Sequence, residues 1–328
     1  MKGNISIDLH LHFDGSLSIA NARALALLEG VKLPDGEREL LDMLTVDPDC
    51  TNLGEYLTKF DFPLSLLQSA RSIEQGMYTL CSELEDEGCI YAEIRFAPQL
   101  HLLKGLSQSE VVESAIRGFS RSGLRGGLIL CCMRGDSNLA LNEQTLCVAG
   151  EYIGKGVVAL DLAGNEAGFP TDNFAPLFAK ARKNNIPFTI HAGEADCAAS
   201  VISAIKMGAR RIGHGVRSYE NTELMEALAK SSIPLELCPT SNLQTAVFKD
   251  IYEYPIKIFM DAGIRVTVNS DNRSVSATTA KKELALVCNV FGLGEDAERK
   301  ILENSVYAAF ADESVKRELL DIIAREYE

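Results

Sequence analysis

Residues 5–12 read ISIDLHLH, and the chain continues FDGS to residue 16. The run is apolar and β-branched at its start and polar at its end. That is the pattern of a packed strand whose far end meets something other than core. Seven later runs share the plan: CIYAEIRFAP (89–98), GGLILCCMRG (126–135), VVALDLAGNE (157–166), PFTIHAGE (187–194), RIGHGV (211–216), IPLELCPTSN (233–242) and RVTVNSDN (265–272). After the first run they begin roughly 20 to 40 residues apart, near the ~30 expected when about 250 residues share eight strand–helix units.

Helical signals fill the intervals. FAPLFAKARK (174–183) has apolar residues at helical spacing, basic residues in its last turn and Pro187 beyond. Asn221 stands where it can cap the helix through ELMEALAK. Strands alternating with helices imply a parallel sheet, and eight such units imply an α/β fold of the (β/α)8 TIM-barrel type. The interval from 13 to 88 is too long for one crossover. Ser18 to Glu29 reads as a helix stopped by Gly30, and the rest as further helices able to cover the barrel mouth. Residues after about 275 read as the last barrel helix plus a helical tail. The whole chain, 1–328, reads as one barrel domain.

Composition narrows the function. Of 328 residues, 46% are hydrophobic and 24% charged, enough for a large core. The net charge of −14, with no basic run longer than a pair, argues against nucleic acid, whose binding needs clustered cations. Nine scattered cysteines without a C-x-x-C pair read as reduced thiols, and the first residues carry no apolar signal core. The expectation is a cytoplasmic protein. No stretch of about 18 apolar residues suits a membrane span.

The rare polar residues gather at strand ends. Four of the five histidines do so: His10 and His12 on the first run, His191 on the fifth and His214 on the sixth. In this fold such ends build the active site. Residues i and i+2 of a strand share a face, so His10 and His12 project together, with Asp8 below them. The eighth strand closes against the first and brings Asp271 beside them, while His191 reaches in from the fifth. Three imidazole nitrogens and one carboxylate oxygen suit a single Zn2+ best.

At this point HLHFDGSL, DLAGNE, HAGE, IGHG and NSDN, in this order and spacing, resemble the adenosine deaminase family of zinc amidohydrolases. KFDFPLSLLQS and EIRFAPQLH resemble its bacterial members, and the likeness runs from residue 5 to about 310. It implies hydrolytic deamination of adenosine and 2′-deoxyadenosine to the inosines plus ammonia, with one Zn2+ per chain held by His10, His12, His191 and Asp271. His12, Asp14, Gly164 and Asn272 would bind substrate. Asp14 would accept from the ribose 5′-hydroxyl, and the Gly164 N–H would donate to purine N3. Glu194 would donate a proton to purine N1. His214 would orient the hydroxide nucleophile and stabilise the developing charge.

One position departs from the family's usual pair of aspartates: Asn272 follows Asp271. Its amide can donate to purine N7 without being protonated. Asp14 disfavours a 5′-phosphate, because like charges repel. The alternative substrate on the same machinery is adenine or a 5′-modified adenosine. A zinc-barrel hydrolase of esters or amides and an inactive binding protein are the other classes. The cytidine-type signature, H-x-E with P-C-x-x-C, is absent.

Remaining residues carry structural expectations. Glu93 and Arg95 share a face and would pair with each other. Asp8 and Asp161 would support metal-bound histidines. His101 would lie on the surface, Ser241 and Asn242 would cap a loop, and Glu83 to Glu87 would be a solvated helix end.

Overall fold

In a computed structural model, which describes residues 3–47 and 49–328, all eight runs form strands. They are β1 (Ser6–His12), β2 (Cys89–Phe96), β3 (Gly126–Met133), β4 (Val157–Ala163), β5 (Thr189–Ala192), β6 (Arg211–His214), β7 (Leu235–Leu237) and β8 (Val266–Val268). All pair in parallel, as two four-stranded sheets in the orders β1-β2-β3-β4 and β5-β6-β7-β8. Bridges join the sheets at both seams, Leu160 to Phe188 and Leu11 to Asp271. The strand ring is therefore continuous, which is the barrel that the sequence pattern implies.

The β1–β8 seam matters most. The Asp271 N–H donates to the His10 carbonyl at 2.8 Å, and the His12 N–H to the Asp271 carbonyl at 2.7 Å. Backbone pairing thus delivers Asp271 to the two histidines. β1 is not regular: its register against β2 shifts between Asp8 and Leu11. The irregularity turns the Leu9 carbonyl toward Arg95 Nη2, 2.6 Å away. Such irregularities re-aim side chains.

Local signals place the helices as read. Ser18 caps Ile19–Glu29 by accepting from the Asn21 N–H, and Gly30 ends it at φ 68°. Asn221 caps Thr222–Ser231 through the Leu224 N–H. The interval after β1 holds the helices Ile19–Glu29, Glu37–Leu44, Leu53–Leu57, Asp61–Ser65 and Ala70–Asp86. Asn21 ties the first of these to the last by donating to the Gly76 carbonyl at 3.0 Å. Buried Phe13, Leu25 and Met77 belong to the same core, each contributing about 1.5–3 kcal/mol. The chain ends in Ala280–Phe291, Glu295–Ala308 and Glu313–Glu326, the barrel helix and tail expected. Among the described residues, no helix is long and apolar enough to cross a membrane.

Two structural expectations are corrected. His101 is fully buried, its Nδ1 2.8 Å from the Leu67 carbonyl. The insertion folds over it, so it never meets the surface. The stretch Glu83–Glu87 is solvated only in part: Ser18 donates to the half-buried Glu83 at 2.5 Å, and Glu87 pairs with Arg273.

Candidate metal and catalytic centre

His10, His12, His191 and Asp271 converge at the C-terminal end of the barrel. His12 Nε2 lies 3.3 Å from His191 Nε2 and 3.4 Å from Asp271 Oδ1. His10 Nε2 lies 3.5 Å from that same oxygen, and this buried nitrogen has no hydrogen-bond partner. Ligand atoms of His10, His12 and His191 fall within 4.8 Å of one another, as do those of His10, His214 and Asp271. Burial drives the His10 imidazole down to about 4 and holds His12 well below its ordinary value, so both are neutral Lewis bases at pH 7. An unpartnered buried nitrogen among neutral imidazoles and a carboxylate is a donor set that fits a divalent metal.

Behind the donors the barrel interior is ionic rather than apolar. Glu236 Oε2 accepts from His10 Nδ1 at 2.7 Å, and Asp161 Oδ2 lies 2.9 Å from His191 Nδ1. Arg95 bridges these two carboxylates at 2.9 Å each. Arg211 joins Glu236 at 2.6 Å to Glu93 at 2.5 Å. Burial opposes ionisation of Glu236 and Asp161, but the adjoining cations win and hold both carboxyls well below the usual range. The His10 tautomer is thereby set with Nε2 free toward the donor cluster, while Asp161 places a carboxylate beside Nδ1 of His191.

This network revises three expectations. Glu93 and Arg95 do not pair with each other: Glu93 binds Arg211 and Arg95 binds Asp161 and Glu236. Asp161 supports His191 as expected. Asp8 touches no histidine ring; displaced by the β1 irregularity, it accepts from Ser270 Oγ at 2.5 Å. Glu236 takes the role expected of Asp8. An acid inside the three-residue apolar strand LEL was the signal for it.

Glu194 is 6% exposed, and burial raises its carboxyl above the ordinary range. Its Oε2 lies 3.5 Å from His214 Nε2. Its Oε1 accepts from Asn242 Nδ2 at 3.0 Å, and Thr245 Oγ1 lies 3.3 Å from it. The segment carrying Glu194 is held by Glu166, whose carboxylate accepts the backbone N–H groups of Gly193, Glu194, Ala195 and Asp196 at 2.6–3.1 Å. Glu166 ends the DLAGNE motif, yet its role is invisible until β4 and β5 become neighbours. Asn242 also leaves its expected loop-capping role: it is fully buried and touches both Glu194 and His214.

His12, Asp14 and Gly164 line a cavity of about 250 Å³, roofed by Leu57, Phe60 and Leu64 of the insertion. The insertion therefore does cover the mouth. Asp14 Oδ1 is buried without a partner, and burial pushes its carboxyl up to about 6. Asn272 is also buried and does not line this cavity; its Oδ1 sits over Gly15, where a Cβ would come within 2.0 Å. Two non-glycine residues at strand ends, His214 and Asp271, adopt φ of 58° and 59°. This left-handed region is uncommon outside glycine and clusters at functional sites.

Gly213, which precedes His214, leaves little room for a side chain. A Cβ there would stand 3.0 Å from His191 Cα and 3.2 Å from His10 Cε1. Gly213→Ala is expected to cost about 1–3 kcal/mol by overpacking. It should also weaken metal retention against a chelator, and equal retention would show that the cluster tolerates the shift.

Comparison with known proteins agrees with this geometry. The sequence model of the family described as adenosine deaminase matches residues 6–326. The chain belongs to the adenosine deaminase family. It is 43% identical over 330 residues to an adenosine deaminase of Haemophilus ducreyi, covering 98% of this chain and 96% of that one. An Enterococcus faecalis adenosine deaminase is 37% identical over 325 residues, at 98% and 96% coverage. In fold, the chain is similar to an amidohydrolase from Burkholderia ambifaria with bound Zn, with TM-score 0.88 at 18% identity, covering 98% of this chain and 90% of that one. Members of the family are hydrolytic deaminases, and this chain is an enzyme of that kind.

Proposed function

We propose that residues 1–328 form one metal-dependent barrel domain. It deaminates adenosine and 2′-deoxyadenosine to inosine and 2′-deoxyinosine, releasing ammonia. The observation that carries the reading is the buried Glu194, its carboxyl raised above the ordinary range by burial, beside the donor cluster and next to a roofed cavity lined by His12, Asp14 and Gly164. His10, His12, His191 and Asp271 would hold one Zn2+ per chain, which when bound supplies a water ionised near neutral pH.

The protein's own groups do the rest. C6 of adenine resists attack while the ring stays aromatic. Glu194 gives its proton to N1, which makes C6 electrophilic. The oxygen of water bonds to C6 and the C6–N6 bond breaks; one of water's two protons leaves with the exocyclic nitrogen as ammonia, the other restores Glu194, and N1 keeps the proton it received. His214 holds the incoming oxygen in line and stabilises its charge. Asp14 accepts from the ribose 5′-hydroxyl and the Gly164 N–H donates to N3; Asn272, next to Asp271 and outside the lining of that cavity, would donate to N7 of a purine seated toward the donor cluster. A buried Asp14 also rejects a 5′-phosphate, so a free purine nucleoside is the substrate. Nine free thiols suit a reducing, cytoplasmic setting.

The zinc-loaded protein mixed with adenosine tests the reading. Conversion to inosine, followed by purine absorbance, is expected, with AMP turned over at least about 10²-fold more slowly. Adenine or a 5′-modified nucleoside turning over faster than adenosine would replace it. For Asn272, Asn272→Asp is expected to make KM rise with pH as the new carboxyl ionises. Identical KM–pH profiles for the two proteins would remove Asn272 from the N7 contact.

A further inference from the structure

Behind Glu194 and His214 lies a pair of residues that the reaction scheme leaves unused. Tyr254 is 2% exposed, and its hydroxyl donates to Asn242 Oδ1 at 3.1 Å. Asn242 Nδ2 sits 3.0 Å from Glu194 Oε1 and 3.1 Å from His214 Nδ1. Asn242 is held from its own backbone, its N–H donating to the Cys238 carbonyl and its carbonyl accepting from Val247. Phe248 packs edge-on against the Tyr254 ring. The side chains of Tyr254, Asn242, Glu194, His214 and Phe248 are all buried.

The orientation of the Asn242 amide follows from its neighbours. Turned round, its oxygen would face a carboxylate oxygen and leave Tyr254 opposite an NH2 group. With the NH2 inward, its two hydrogens meet two acceptors, Glu194 Oε1 and His214 Nδ1. An N–H on His214 Nδ1 would point at that NH2 group. The ring proton therefore belongs on Nε2.

Resting on the deaminase reading, we infer that Tyr254 and Asn242 are positioning residues that lock His214 in its Nε2–H tautomer and leave Glu194 Oε2 as the oxygen carrying the transferable proton. Two consequences follow. His214 meets the reacting oxygen as a hydrogen-bond donor, not as a proton acceptor. And Glu194 cannot swap its two oxygens, because Oε1 is already engaged by Asn242. The relay thus assigns one donor to the oxygen added at C6 and one to N1, before substrate arrives. Preset donors of this kind need no reorganisation during the reaction.

The test uses zinc-loaded, full-length protein carrying 15N-histidine, with the His214 signals identified by their loss in His214→Gln. The expected wild-type spectrum has His214 Nδ1 unprotonated and Nε2 protonated. A proton on Nδ1 overturns the proposal, whether or not adenosine is converted. In Asn242→Asp the carboxylate accepts from Nδ1, so the proton is expected to move there. Its kcat should fall about 10²-fold or more with KM within about threefold. Tyr254→Phe, which adds no charge, should lower kcat by about tenfold with little change in KM. An unmoved spectrum in Asn242→Asp, or full kcat in both variants, overturns the relay. Failure of the wild type to deaminate adenosine would instead sink the reading it rests on, leaving the spectrum to be judged alone.

Discussion

Glu194→Gln is expected to bind adenosine and fail to convert it, with kcat lowered by about 10²–10⁴-fold and KM within about threefold. Glutamine keeps the volume of Glu194, which matters for a side chain 6% exposed. It can still accept from Asn242 and can still donate a hydrogen bond to N1. What it cannot do is release a proton, and the ring then stays aromatic at C6. Binding and chemistry separate in this one substitution. The pH profile separates them again. Burial raises the Glu194 carboxyl, so activity of the wild type is present while the group is protonated and declines as pH rises through that raised value. The residual rate of the glutamine variant should lack this alkaline decline. A parallel loss of binding and turnover would mean that Glu194 serves the pocket's shape.

Glu236→Ala is expected to give the largest loss of stability. Glu236 accepts from His10, Arg95, Arg211 and Thr189, all buried. Arg95, Arg211, Glu93, Asp161 and Glu236 bring two cations and three anions into one barrel interior. The surplus negative charge lies behind His10 and His191, where it favours a dication on their far nitrogens. Removing Glu236 cancels that surplus and leaves the two guanidiniums with one carboxylate each, Asp161 for Arg95 and Glu93 for Arg211. Breaking such a buried pair costs about 3–5 kcal/mol. Loss of the His10 anchor should weaken metal binding about 10–100-fold. Urea unfolding and chelator competition read these separately. Glu236→Gln, which keeps an acceptor for Arg211, should recover part of the stability and less of the affinity. An unchanged midpoint in the alanine variant would mean that water takes the place of the carboxylate.

The fold was legible because parallel strands covered by helices are mostly apolar and β-branched along their length, and their rare histidines gather where the strands end. That rule exposed β1 through β8 and put His10, His12, His191 and Asp271 at one rim. Partners inside the ring were not legible for a different reason. Glu236 meets His10 across 226 positions, and Asn242 meets Glu194 across 48. Only barrel closure makes them neighbours. The misplacement of Asp8 came from assuming unbroken alternation in β1, whereas the strand shifts register between Asp8 and Leu11. His101 was misread because a lone polar residue after a strand resembles a loop residue until the insertion covers it.

The left-handed backbone at His214 and Asp271 has a consequence for the protein's durability. A side chain with a Cβ holds that conformation at a cost of about 1–2 kcal/mol, which glycine or asparagine largely escapes. Selection for heat resistance alone would therefore drift these two positions toward glycine or asparagine. A library screened only for survival at high temperature should enrich such replacements and return barrels that last longer and do nothing.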